Sequence, residues 1–320
     1  MNATANMARV LFVDDEPRIL TTMRMLFRKN YEVFVAEGGQ KALELLKTQP
    51  VDVIVSDQRM PGMTGIEMLR QARELNPNAM RILLTGYSDL NAIIGSINEG
   101  EIFRFVNKPW FDEDLTATVA RAVEAARASQ TVETSEAAAA ATTEAEAETK
   151  PTPGSASAVL VLDDNPSVPQ KIQDILGNNY RVVPAKTMQQ AVSALEKERI
   201  GVVISDTRVE DHPVLGLISA LKQQRPEVVS IILTERADAD TAIGLINQGQ
   251  IYRFITKPIH DGQVKIMVGS ALKQHNKLTK NPELHQRFEV DQAPAPAEDS
   301  SSADLIDRVK TLRSWAKRWV

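Results

Sequence analysis

The 320-residue chain carries 37 basic and 42 acidic side chains, a formal net charge of -5, which argues against a general binder of nucleic acid or of anionic membranes. It has no cysteine, so disulfides, thiolate metal sites and cysteine nucleophiles are excluded. Its start lacks an apolar core behind positive charge, and no stretch reaches the roughly 18 apolar residues that span a bilayer. We therefore expect a cytoplasmic protein without membrane contact, long enough for two domains.

Short β-branched runs alternate with amphipathic segments along the first third of the chain. Val10–Val13 predicts a buried strand, and the helical spacing that starts at Ile19 predicts the helix after it. Two more apolar runs, Val51–Val55 and Arg81–Leu84, predict strands that end next to Asp57 and Thr85. This alternation predicts an α/β fold with a parallel sheet covered by helices on both faces.

The chain also contains an internal repeat. Leu11–Asp15 corresponds to Leu160–Asp164 at an offset of 149 residues. Other blocks keep the same register: Ser56-Asp57 with Ser205-Asp206, Leu84-Thr85 with Leu233-Thr234, Ile97–Gly100 with Ile246–Gly249, and Lys108-Pro109 with Lys257-Pro258. The period is far longer than that of solenoid repeats, so each copy is interpreted as a whole domain.

Composition divides the rest of the chain. The segment between the copies is rich in Ala, Glu, Thr and Pro and poor in large apolar residues, which is typical of a flexible linker. A polar stretch follows the second copy, and an amphipathic segment follows that stretch. The predicted organisation is a first domain at 1–127, a linker at 128–157, a second domain at 158–279, a polar linker at 280–301 and a short C-terminal amphipathic helix at 302–320.

Polar residues follow the predicted strands of the first copy. Asp14 and Asp15 come after the first strand, Asp57 after the third, Thr85 after the fourth and Lys108 after the fifth. The carboxyl ends of parallel strands share one edge of the sheet, where ligands of such folds bind. Clustered carboxylates repel one another unless a cation neutralises them, and a hard divalent ion such as Mg²⁺ suits oxygen ligands.

With these residues, both copies resemble the receiver domains of two-component response regulators, each over about 120 residues. The resemblance rests on an acidic pair, a phosphorylatable Asp, a Ser or Thr, and a Lys-Pro, in this order, each after a strand. It implies two flavodoxin-like, doubly wound (βα)5 domains with five-stranded parallel sheets, and one Mg²⁺ for each competent domain.

The resemblance also implies roles in the first copy. Asp57 would accept the phosphoryl group and hold Mg²⁺ together with Asp15, with Asp14 assisting. The remaining implied roles are a metal-binding backbone carbonyl at Arg59, phosphoryl-binding groups at Thr85 and Lys108, a switch aromatic at Phe105, and a bond to Pro109 that is often cis in this family.

The second copy keeps the pattern but departs from it nearby. The retained residues are Asp163, Asp164, Asp206, Thr234, Phe254 and Lys257, of which the three acids would be the metal ligands and Asp206 the phosphoacceptor. Where the first copy has Pro61-Gly62, Gly65 and Gly86, the second has Glu210-Asp211, Val214 and Glu235. Extra carboxylates disfavour an incoming dianion, so we expect Asp206 to be labelled slowly or not at all.

The implied function is that of a response regulator in a phosphorelay, not an enzyme. It would receive phosphate from a sensor histidine kinase or a phosphotransfer protein and act on a downstream protein target, without a DNA-binding or catalytic output domain. The resemblance leaves a homodimer open. One alternative is a Mg²⁺-dependent aspartyl-phosphate phosphatase or phosphotransferase, although the adjacent Asp14-Asp15 lacks the Asp-x-Asp spacing such enzymes need. Another is a scaffold of pseudo-receivers, a reading that suits the second copy better.

The C-terminal segment has apolar residues at helical spacing and basic residues outside that face. We expect it to contribute to a docking surface for a partner. The alternatives are packing onto its own receiver and lying on a membrane surface. The expected docking residues are Leu305, Val309, Leu312, Trp315 and Trp319.

Overall fold

The computed structural model describes residues 7–86, 102–140, 157–235, 239–282, 284–285 and 308–309. The chain divides into two compact units, Met1–Glu136 and Ala137–Val320. Across the described ranges, no helix combines the length and apolar character needed to cross a membrane.

The first unit contains a five-stranded sheet in the order β2-β1-β3-β4-β5. All of its strand pairs are parallel, which confirms the predicted α/β fold. Its described elements are β1 (Arg9–Asp14), α1 (Pro17–Phe27), β2 (Glu32–Glu37), α2 (Gly39–Leu46), β3 (Val53–Asp57), α3 (Gly65–Leu75), β4 (Met80–Thr85), β5 (Arg104–Asn107) and α4 (Asp112–Ala140).

Local sequence explains where these elements begin and end. Val10–Val13 are at most 1% exposed, as expected for a strand covered on both faces. Helix α1 begins at Pro17, whose missing N–H is no loss in the first turn. Helix α3 begins with a capping box, in which the Thr64 hydroxyl accepts from the Glu67 N–H and the Glu67 carboxylate accepts from the Thr64 N–H. This cap fixes the chain just after the loop that follows Asp57.

Helix α4 extends beyond residue 127, the predicted end of the first domain. It continues to Ala140, so residues 128–140, expected to belong to the linker, are helical. Their high Ala and Glu content favours helix once the preceding turns are formed. The expected linker residues 141–156 lie outside the described residues.

The second unit repeats this architecture by itself. Its five-stranded parallel sheet runs β7-β6-β8-β11-β12, and a separate two-stranded hairpin pairs β9 with β10. Its described elements are β6 (Ala158–Leu162), α5 (Ser167–Leu176), β7 (Val182–Ala185), α6 (Met188–Lys197), β8 (Ile200–Ser205), β9 (Arg208–Val209), β10 (His212–Pro213), α7 (Leu215–Gln224), β11 (Val229–Thr234), α8 (Ala239–Asn247), β12 (Arg253–Thr256) and α9 (Asp261–Lys280).

In each domain a buried basic side chain donates to the equivalent pair of backbone carbonyl groups, but the side chain comes from a different position. In the first, the buried Arg81 on β4 donates to the carbonyl oxygens of Ala79 at 2.8 Å and Pro77 at 3.3 Å. In the second, Lys222 on α7 donates to the carbonyl oxygens at the equivalent positions, Pro226 at 2.7 Å and Val228 at 3.1 Å. The basic side chain therefore lies on a strand in the first domain and on a helix in the second, while the carbonyl groups to which it donates are at equivalent positions.

Burial of Lys222 predicts a pH-dependent stability. Burial lowers the pKa of Lys222 to about 7, so between pH 7 and 10 the unfolded chain binds more protons than the folded one. The free energy of unfolding should therefore rise across this window, by on the order of 1–3 kcal/mol. In urea unfolding of the full chain at several pH values, Lys222→Met should lose this rise. The control Lys197→Met, at an exposed position, should keep it, and an identical pH profile for wild type and Lys222→Met would contradict the prediction.

Candidate functional site

The predicted site residues of the first domain lie at the carboxyl edge of its sheet. Asp14, Asp57 and Thr85 are the last residues of β1, β3 and β4. Lys108 follows β5, and its backbone N–H donates to the carbonyl oxygen of Thr85 at 2.8 Å. Adjacent parallel strands thus carry one carboxylate, a second carboxylate, a hydroxyl and an ammonium group to the same edge.

Three carboxylates form a cluster at this edge. One oxygen atom from each of Asp14, Asp15 and Asp57 lies within 4.8 Å of the others. Asp14 and Asp57 are buried and Asp15 is exposed. Burial raises the pKa of Asp14 above its ordinary value, while the Glu16 N–H and Lys108 oppose that rise. The cluster is open to solvent on the side of Asp15.

Lys108 reaches across the cluster. Its Nζ lies 2.7 Å from Asp57 Oδ1 and 3.6 Å from Asp14 Oδ2. The ammonium group also lies 5.6 Å from the centre of the Trp110 ring. One cation against three carboxylates leaves the cluster with an excess of negative charge, so a further cation would be stabilised there.

The donor set fits Mg²⁺. The Asp14 Oδ1 atom accepts from the Glu16 N–H at 2.8 Å, whereas Asp14 Oδ2 is buried without a hydrogen-bond partner. A buried carboxylate oxygen without a hydrogen bond is costly unless a cation or its water shell satisfies it. Hard oxygen ligands from two or three carboxylates are the usual protein contribution to a Mg²⁺ site. Arg59, the expected carbonyl ligand, lies in the loop two residues after Asp57.

The loop after Asp57 depends on a glycine. A Cβ atom at Gly65 would lie 2.1 Å from the carbonyl oxygen of Asp57, a distance that no side chain tolerates. Across the loop, the Gly65 N–H donates to the Gln58 carbonyl oxygen at 3.0 Å, and the buried Gln58 side chain accepts from the Ile66 N–H at 3.2 Å. Glycine therefore lets the start of α3 press against the backbone of the candidate phosphoacceptor.

The expected switch residues lie inside this domain. Thr85 is fully buried, and its hydroxyl donates to the Gly86 carbonyl oxygen at 3.3 Å. Phe105 on β5 is 3% exposed. The Lys108–Pro109 and Lys257–Pro258 bonds are both cis.

In the second domain a lysine also contacts two carboxylates. Lys257 Nζ lies 2.7 Å from Asp206 Oδ2 and 3.0 Å from Asp163 Oδ2. Burial lowers the pKa of Lys257, but the hydrogen bonds to the two carboxylates outweigh that effect and raise the pKa on balance. The other oxygen of Asp206 accepts from Thr207, from its N–H at 2.6 Å and from its hydroxyl at 3.2 Å. Both oxygens of the candidate phosphoacceptor are therefore already hydrogen-bonded.

A hairpin replaces the Pro61-Gly62 loop in this second site. Strands β9 and β10 are joined by Glu210 and Asp211, which adopt positive φ angles of 50° and 61°. The Glu210 N–H donates to Asp164 Oδ2 at 3.0 Å. Among the residues that the structure describes, Asp14, Asp15 and Asp57 form the one acidic group with oxygens this close together. The expected ligand set of Asp163, Asp164 and Asp206 is not gathered in the same way, and Asp164 accepts the Glu210 N–H of the hairpin.

Sequence reasoning missed several of these contacts. Trp110 lies two residues after Lys108, and Thr207 directly follows Asp206. Their nearness in sequence to predicted site residues was the only signal that could have indicated these contacts. The Glu210 N–H is a backbone group, and its role depends on a turn that residue types alone indicated only weakly.

The expected docking helix is described at two residues. Arg308 and Val309 are helical. Val309 is buried, and Arg308 forms an ion pair with Glu196 of the second domain. This contact favours the alternative in which the segment packs onto its own receiver. The other expected docking residues, Leu305, Leu312, Trp315 and Trp319, lie outside the described residues.

Comparison with known proteins finds the same two segments. The family model for the response regulator receiver domain matches residues 10–120 and 159–268. The hydrogenase transcriptional regulatory protein HoxA of Cupriavidus necator is 43% identical over 118 residues, which are 37% of this chain and 24% of that protein. The DNA-binding transcriptional regulator NtrC of Klebsiella pneumoniae is 34% identical over 112 residues, covering 35% of this chain and 24% of that protein. The matches therefore span about a quarter of each regulator.

Two solved structures are similar to about two fifths of this chain. A structure described as an adenylate cyclase from Rhodopirellula baltica is 36% identical and covers 40% of this chain and 96% of its own, with a TM-score of 0.39. The signal receiver domain of an HD domain-containing protein from Pseudomonas fluorescens is 33% identical and covers 41% of this chain and 96% of its own, with a TM-score of 0.38.

Proposed function

The chain belongs to the response regulator receiver family, and from that premise we propose that its first domain accepts a phosphoryl group on Asp57. The observation that carries this proposal is the Lys108 ammonium 2.7 Å from Asp57, beside a cluster of three carboxylates with one unsatisfied buried oxygen. The donor would be a phosphohistidine of a sensor kinase or phosphotransfer protein.

The chemistry needs little beyond positioning and charge. A carboxylate oxygen of Asp57 forms a bond to phosphorus as the phosphorus–nitrogen bond of the phosphohistidine breaks, and the electron pair returns to the imidazole nitrogen. Mg²⁺, held by Asp15, Asp57 and the Arg59 carbonyl with Asp14 beside them, would supply charge neutralisation between carboxylate and phosphoryl oxygens. Lys108 and the Thr85 hydroxyl bind the transferred phosphoryl oxygens, and Phe105 responds to the movement of Thr85.

The second domain is proposed to accept phosphate slowly or not at all. Lys257 contacts Asp206 as Lys108 contacts Asp57, but the other oxygen of Asp206 also accepts from Thr207, and Asp164 accepts from the hairpin. The hydrogen bonds from Thr207 and from the hairpin would have to be exchanged before metal or phosphate could bind there. A pseudo-receiver role therefore suits this domain better than the first.

We propose that the chain signals by binding a protein partner. HoxA and NtrC are named as transcriptional regulators, but this chain matches about a quarter of each, so their activity is not carried over to this chain. A cytoplasmic location and the absence of catalytic turnover are part of the same proposal.

Trp110 provides a built-in reporter for this proposal. Because its ring lies 5.6 Å from Lys108 Nζ, Mg²⁺ and a small phosphodonor such as acetyl phosphate should change its fluorescence when Lys108 moves from Asp57 to phosphoryl oxygens. The change should disappear in Trp110→Phe, which keeps Trp315 and Trp319.

A matched pair of variants locates the signal. Asp15→Asn removes a metal ligand of the first domain and should abolish the donor-dependent change, whereas the equivalent Asp164→Asn should retain it. If Asp15→Asn responded as wild type does, or if only Asp164→Asn lost the response, the assignment of the first domain would be wrong.

A further inference from the structure

The C-terminal segment holds a charged contact with the second domain. Arg308 donates to Glu196 on α6 through three hydrogen bonds, from Nε at 3.2 Å and from Nη2 at 3.0 and 2.8 Å. The two residues are 112 positions apart in the chain, so no local sequence effect creates this pair. A two-nitrogen approach of guanidinium to carboxylate fixes orientation as well as distance.

The neighbouring residue is fully enclosed. Val309 is 0% exposed, although it lies well beyond the second family match, which ends at residue 268. Other protein atoms must cover its side chain, and the Glu196 contact of the preceding residue points to the α6 side of the second domain as their source. Burial of an aliphatic side chain supplies the attraction that a partly exposed ion pair lacks.

The sequence has further apolar residues on both sides of Val309. Leu305 and Leu312 stand four residues before and three after Val309, which is the spacing of one helical face. A segment that buries Val309 therefore has further apolar residues at the spacing needed to continue the contact.

The first domain lacks a negative charge at the equivalent position. Lys47 occupies the position equivalent to Glu196 and is exposed. A lysine there would repel Arg308, so charge directs the segment to the second domain rather than to its homologous copy.

We infer that the second domain is a docking module for the chain's own C-terminal segment, in which Glu196 on α6 receives Arg308 and the adjoining surface buries Val309. This surface is separate from the acidic residues at the carboxyl edge of the sheet, so the inference stands whether or not Asp57 or Asp206 is phosphorylated. The second domain could therefore bind the C-terminal segment without accepting phosphate.

The absence of native cysteine makes the test direct. Val309→Cys in the full chain introduces a single thiol, whose rate of maleimide labelling reports exposure. We expect it to react at least roughly tenfold more slowly than Met25→Cys, which replaces a residue that is 63% exposed. Adding Glu196→Arg should bring the two rates together, and adding Arg308→Glu to that variant should restore the protection.

Controls separate the competing explanations. Lys197 is exposed and follows Glu196 in the sequence. Lys197→Glu changes the net charge by the same magnitude as Glu196→Arg, and it should leave the protection of Val309→Cys intact. Equal labelling of Val309→Cys and Met25→Cys in the otherwise unmodified chain would overturn the inference. Protection that disappears on dilution, together with a dimer by light scattering, would assign the bound segment to a second copy and would also overturn it.

Discussion

Replacing Asp57 with Asn is expected to reduce phosphoryl incorporation from acetyl phosphate and Mg²⁺ to background. An amide oxygen carries no charge and cannot form the acyl phosphate, so the variant loses the nucleophile itself rather than its environment. The fold should survive, because the change also removes one of three repelling carboxylates and leaves Lys108 near Asp14. Labelled phosphate retained on the full chain and unchanged far-ultraviolet circular dichroism are the two measurements.

The equivalent change in the second domain is the control. Asp206→Asn should label close to the wild-type level, because one oxygen of Asp206 is already bound by Thr207 and the neighbouring Asp164 is bound by the hairpin. Undiminished labelling of Asp57→Asn with loss in Asp206→Asn would exchange the roles of the two domains.

Replacing Gly65 with Ala is expected to destabilise the first domain by about 3 kcal/mol. The new methyl group would lie 2.1 Å from the Asp57 carbonyl oxygen and 2.8 Å from Leu83 Cδ1, so the loop or the start of α3 must move, as in other overpacked sites. Because the displaced atom belongs to the phosphoacceptor, the labelling rate should fall as well. Urea unfolding of the full chain measures the first effect and phosphoryl incorporation the second.

Gly262→Ala is the matched control for this change. Gly262 lies near the start of α9, and nothing lies within 4 Å of a Cβ built there. Alanine there should be neutral or slightly stabilising, because it favours helix more than glycine does. A Gly65→Ala chain as stable as Gly262→Ala would show that the close approach to Asp57 does not constrain the loop.

The strand framework could be predicted because its signal is local. Val10–Val13 and Arg81–Leu84 are continuous apolar runs, or nearly so, and they lie within β1 and β4. The acidic residues at the ends of such runs share the carboxyl edge through the geometry of parallel sheets. The end of α4 was missed since Ala-rich and Glu-rich sequence is compatible with both a linker and a helix.

The differences between the domains were only partly predictable. The substitutions Glu210 and Asp211 indicated a weaker site, and the expected reason was repulsion between charges. The structure adds a backbone cause, because both residues adopt positive φ in a tight hairpin and the Glu210 N–H binds Asp164. Turn preferences favour Gly, Asn or Asp at such φ values, and only Asp211 is of these types, so residue types gave a weak indication of this hairpin.

Long-range pairs gave no signal in one sequence. Arg308 and Glu196 meet across 112 residues, and Lys222 takes over carbonyl groups equivalent to those that Arg81 binds in the first domain. Each contact depends on the assembled fold.

We propose that the two receiver domains of this chain differ in chemistry, with a single competent site at Asp57. Intact-mass spectrometry of the full chain, incubated with acetyl phosphate and Mg²⁺ and then cleaved in the 141–156 segment, tests this most directly. We expect one phosphoryl group on the first-domain fragment, which is lost when the metal is chelated before the donor is added, and little or none on the second-domain fragment. Equal phosphoryl occupancy of the two fragments, or a label confined to the second, would contradict it.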